Sequence, residues 1–107
     1  MYMTQQDVNN LLQFAALSAA QKLGVAESEW DPTDKLSAAV HTKNPALGAA
    51  LNSFIRAYLS WFEFGERISA QGKDGAMNPA ESTEHVNLVL ERDATRNAFI
   101  EALKGSA

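Results

Sequence analysis

Every proline in this 107-residue chain follows an asparagine or an aspartate: Asp31-Pro32, Asn44-Pro45 and Asn78-Pro79. An Asp or Asn side chain caps a helix by accepting a hydrogen bond from the orphan N–H groups of its first turn. Proline suits the next position, because its φ is already fixed and it strands no N–H. Three such pairs predict three helix starts. Thr4, with Asp7 three residues on, predicts a fourth in the form of a capping box. No stretch alternates as a strand would, apart from the short run His85–Leu90, whose flanks favour helix. The expectation is therefore all-α: a compact four-helix bundle forming one helical domain over 1–107. Its helices should span about 5–23, 32–43, 45–71 and 79–104.

Apolar spacing gives each helix a face. In the first, Val8, Leu11, Leu12, Ala15, Ala16, Ala19 and Leu23 form one stripe, with Phe14 and Leu17 off it. Trp30 is placed to staple the start of the second helix. That helix is short, with Leu36, Ala39 and Val40 as a narrow apolar face. The third is the centrepiece. Leu47, Leu51, Phe54, Tyr58, Trp61, Gly65 and Ile68 alternate steps of four and three, while Ala50, Ile55, Leu59 and Phe62 extend the apolar surface to a second side. A helix apolar over so much of its circumference is expected at the centre, with neighbours on two sides. Gly48 and Gly65 each cost about 1 kcal/mol of helix propensity against Ala, which suits points where another helix crosses closely. Glu63 and Arg67, four apart, are placed to pair. In the fourth helix Val86, Val89, Leu90, Ile100 and Leu103 share a side, but Asp93 and Asn97 interrupt it. Three explanations fit: a bend near 91–94, burial of both polar groups with partners, or a new helix capped by Asp93.

Composition narrows the function classes. Thirteen acidic and nine basic residues give a net charge of −4, which argues against nucleic acid, whose binding rests on basic side chains neutralising phosphates. It argues equally against anionic membranes. With no cysteine, there is no disulfide framework, thiolate zinc site or cysteine nucleophile, as suits a reducing cytoplasm. No apolar run approaches a membrane span, and the first ten residues lack the pattern of a secretory signal. A cytoplasmic location is the expectation.

Candidate chemistry is sparse. Ser18–Trp30 resembles the first half of a helix-turn-helix, with Ala20 and Gly24 four apart and Leu23 and Val25 around the turn. The following segment offers Glu27 and Glu29 to a phosphate backbone and meets Asp31-Pro32 within a few residues. The simpler reading is a helix end, with Gly24 left-handed and Val25 covering the last turn. His41 and His85 are expected as surface residues near helix ends. Glu81 and His85 share a face but lack the repeated Glu-x-x-His pattern of di-metal bundles. Asp93 alone falls on an apolar face. It is either a functional carboxylate with a raised pKa, an acid paired with Arg56, Arg67 or Arg96, or an exposed group at a bend. Phosphate-loop, dinucleotide, nucleophile-elbow and zinc-helix motifs are absent. No cofactor, metal or catalytic residue is predicted.

One cluster stands out. Phe54, Tyr58, Trp61, Phe62 and Phe64 put five of the nine aromatics into eleven residues. One helix of a small bundle is not expected to hide them all, and aromatic residues are enriched at protein interfaces. With Phe14 and Leu17 added, the expected interface set is Phe14, Leu17, Tyr58, Trp61, Phe62 and Phe64. The reading is a non-enzymatic protein–protein interaction module, expected to be homodimeric. It is of the accessory, inhibitor, immunity or chaperone type found in bacteria and phages. The partner is another protein, a second copy, or both. The alternatives are a DNA-binding regulator using segment 18–30 and a small ligand-binding or catalytic bundle around Asp93.

Overall fold

The computed structural model describes residues 3–25, 28, 33–72 and 76–105. Within them lie four α-helices and no strand: α1 (Gln5–Leu23), α2 (Thr33–Lys43), α3 (Pro45–Ala70) and α4 (Pro79–Lys104). The chain is an all-α bundle in which the long α3 touches each of the other three helices. The molecule is elongated, 47 × 24 × 20 Å.

The caps form as the side-chain chemistry dictates. Thr4 Oγ1 accepts the Asp7 N–H at 3.1 Å, and the Asp7 carboxylate accepts the Thr4 N–H at 2.9 Å. These bonds from Thr4 hold the Asp7 carboxyl below its ordinary pKa. Asn44 Oδ1 accepts the Leu47 N–H at 3.1 Å, with Pro45 opening the helix behind it. Asn78 does the same for Glu81 at 2.8 Å, and Glu81 returns a bond to the Asn78 N–H at 3.0 Å. Glu81, which the sequence sets on one face with His85, thus completes a second capping box. The Asp31-Pro32 start and the Trp30 staple lie outside the described residues. At the end of α1, Gly24 takes φ +72°. The Val25 N–H bonds to Ala20 O at 2.9 Å and the Gly24 N–H to Gln21 O at 3.2 Å. This is the paired Schellman pattern, with Val25 buried beneath it.

One core cluster joins all four helices: Val8, Leu12, Ala16 and Ala19 of α1, Leu36 and Val40 of α2, Leu47, Leu51 and Phe54 of α3, and Phe99 of α4. The buried face of α1 is built mostly of alanines, so its backbone approaches its neighbours closely. Leu11 of the expected stripe is exposed and Leu23 half-buried. α2 and α3 meet at Gly48, where a Cβ would stand 2.5 Å from His41 Cα. Gly65, expected to serve a second such crossing, faces open space.

α3 and α4 run antiparallel from Phe54 to Arg67 of α3. Phe54 faces Phe99, Trp61 faces Arg92, Phe64 faces His85, and Arg67 faces Glu84. α4 is continuous from Pro79 to Lys104, so no new helix starts at Asp93. It is also rotated from the expected orientation. The side turned toward α3 carries His85, Leu88, Arg92, Thr95 and Phe99, spaced three and four apart. Val86, Leu90, Asp93 and Asn97 point outward. The aromatic register explains the rotation. Phe99 is the largest apolar side chain of α4, and seating it on Phe54 buries more apolar surface than seating Val86 or Leu90 would.

Candidate interaction surface

The aromatic row of α3 is better covered than the sequence suggested, because α4 supplies Phe99 against Phe54, Arg92 against Trp61 and His85 against Phe64. Phe54 stacks on Phe99 at 5.9 Å and meets the Tyr58 ring edge-on at 5.7 Å. Tyr58 meets Trp61 edge-on at 5.3 Å, and the Arg92 guanidinium sits 4.5 Å from the Trp61 ring centroid. Phe64 is buried under Arg67, whose guanidinium lies 5.0 Å from its ring centroid, and beside the His85 ring at 6.0 Å. Of the six expected interface residues, Phe62 and Phe64 are therefore buried within the chain. Tyr58, Trp61 and Leu17 are half-buried against the core, and Phe14 alone stands out in solvent.

Tyr58 combines apolar burial with a single polar contact, donating its hydroxyl hydrogen bond to Met3 Sδ at 3.2 Å. Burial raises its pKa above the ordinary value of 10.0, and the nearby Arg92 charge partly opposes the rise.

The other candidates disperse. Asp93 is exposed and pairs with its sequence neighbour Arg92 at 3.1 Å, not with Arg56, Arg67 or Arg96. Asn97 is exposed as well, so the interruption of the α4 stripe is no buried polar pair. Arg67 reaches across to Glu84 at 3.5 Å instead of pairing with Glu63. That contact holds Arg67 over Phe64 and joins the two helices. His41 lies exposed against Gly48, and His85 is half-buried on Phe64. Among the described residues no three His, Cys, Asp or Glu side chains gather as a metal would require. Among the described residues no helix is long and apolar enough to cross a membrane. The helix-turn-helix resemblance reduces, over its described part, to the glycine-capped end of α1.

Two surface features remain. The first is apolar: Phe14 on α1 is 69% exposed, and Val86 and Leu90, one turn apart on α4, are 54% and 61% exposed. The second is an open groove of about 310 Å³ along the seam of α3 and α4, lined by Ser53, Arg56, Ala57, Ser60, Leu88 and Glu91. Its floor is the buried Ala57, and its rims are the exposed Arg56 on α3 and Glu91 on α4. Among the described residues neither rim charge has an ion-pair partner. No local pattern of residues marks this groove, because it depends on the rotation of α4. No protein-family model, curated protein or solved structure matches the chain.

Proposed function

We propose that the chain is a non-enzymatic protein–protein interaction module that works as a homodimer, with α4 as the helix it presents. One observation carries this reading: α4 is 26 residues long and buries a single side chain, Phe99. A helix of that length in a finished bundle normally buries a stripe about three residues wide in every two turns. The rest of its inner side is only half-buried against α3, and its outer side is free, with Val86 and Leu90 exposed there and Glu91 exposed beside the groove. A second copy packing against the hairpin of α3 and α4 would complete a four-helix arrangement with a two-fold axis, the commonest oligomeric symmetry. The absence of cysteine suits such a protein in a reducing cytoplasm. Small size and net acidity fit the accessory, inhibitor or chaperone type.

Sedimentation velocity from micromolar to sub-millimolar chain concentration tests the proposal. A concentration-dependent shift to twice the monomer mass is expected. A strictly monomeric chain across the whole range overturns self-association.

A further inference from the structure

The groove between α3 and α4 has a property that the exposed apolar side chains lack. Its two rims carry opposite charges, Arg56 on α3 and Glu91 on α4, and neither is neutralised within the chain by a described residue. Between them lie a buried alanine floor and two short side chains, Ser53 and Ser60.

We propose that this groove is the contact face of the homodimer, and that its occupant is a second copy of the chain. The inference rests on the self-association reading above and specifies its geometry. In a two-fold interface each patch meets itself, so residue i of one copy faces residue j of the other, and j faces i. A surface with one basic rim and one acidic rim becomes complementary to itself under that operation. Arg56 then opposes the partner's Glu91, and Glu91 opposes the partner's Arg56. A partner of uniform charge would satisfy one rim and be repelled by the other. The short serine and alanine side chains between the rims let two helical hairpins approach until the charges meet. Leu88, half-buried at the groove wall, supplies apolar area to the contact.

Charge reversal tests this directly. Arg56→Glu and Glu91→Arg each turn two attractive contacts into two repulsive ones. Each should weaken the dimer about tenfold or more. The double variant Arg56→Glu/Glu91→Arg restores opposite charges across the two-fold and should return dissociation to within about threefold of the parent. Added salt should weaken the parent and the double variant alike. Ser60→Phe, at an exposed position, fills the groove and should abolish the dimer while leaving the monomer folded, with a melting temperature that no longer rises with chain concentration. Circular dichroism melting of every variant confirms that the fold is kept. A parent dimer indifferent to both reversals and to Ser60→Phe overturns the groove while leaving self-association standing. A dimer disrupted only by Leu90→Lys does the same and moves the interface to the outer side of α4. A monomeric parent overturns both readings.

Discussion

Phe99 lies flat on Phe54, with ring centroids 5.9 Å apart and planes 5° from parallel. This contact ties α4 into the core that the other three helices share, because Phe99 is the one fully buried side chain α4 places there, with Ala102 and Leu103 half-buried beside it. Replacing Phe99 with Ala should therefore cost about 3–5 kcal/mol, the range for large-to-small aromatic changes in a core. Chemical denaturation followed by circular dichroism gives the number. A loss below about 1 kcal/mol would show that α4 is held elsewhere.

The two glycines of α3 should respond in opposite directions. Gly48→Ala forces a Cβ to within 2.5 Å of the His41 backbone, so α2 must move, and a loss of about 1–3 kcal/mol follows. Gly65→Ala enters open space and replaces a poor helix former with the best one. A gain of roughly 0.5–1 kcal/mol is expected. Thermal melts of the pair decide the matter, and equal shifts would contradict the close crossing at Gly48.

Phe14 and Phe64 make a second contrast. Phe14→Ser removes a mostly exposed ring and should leave stability within about 0.5 kcal/mol of the parent. Phe64→Ala takes a buried ring from beneath Arg67 and beside His85 and should cost about 3 kcal/mol. Urea midpoints at fixed protein concentration separate the two.

Tyr58 gives the fold an alkaline limit. Burial raises its pKa in the folded chain, so the folded state favours the neutral phenol. That contribution is fully present below the ordinary phenol pKa of 10.0 and is lost as pH rises through the higher folded value. In a Tyr2→Phe background, absorbance titration of the remaining tyrosine should show a midpoint above 10.0. Tyr58→Phe should flatten the decline of stability on the alkaline side. A midpoint at or below the ordinary value would contradict the burial.

The elements of this fold were legible in the sequence because their signals are local. Thr4, Asn44 and Asn78 each satisfy an N–H within three residues of themselves, so the cap and the helix start follow from neighbouring residues alone. Gly24 ends α1 for the same reason. The rotation of α4 was not legible, because it is a tertiary choice. Val86 and Leu90 looked like core by spacing, yet the pairing of Phe99 with Phe54, and of His85 and Arg92 with Phe64 and Trp61, turned them outward. That rotation also made Phe64 a buried residue and opened the groove beside Ala57. The aromatic row of α3 is legible as an apolar run, but what covers it comes from a helix some thirty residues away in the chain. A sequence pattern shows which faces are apolar and does not show which neighbour will cover them.

Phe64 and Ile68 are buried, yet neither belongs to the cluster that joins the four helices. The far end of the α3–α4 hairpin is thus held by its own small apolar contact, the Arg67–Glu84 bridge and the cap at Asn78. Such a unit can open without dragging the rest of the chain with it. In native-state hydrogen exchange, amides near Ile68 and His85 should report a low-energy fraying of the tip. Those around Leu51 and Leu12 should exchange only when the whole bundle unfolds. The molecule would then behave mechanically as a firm base carrying a hinged finger. Anything that grips the finger along its length, a second copy included, would raise the protection of the tip toward that of the base.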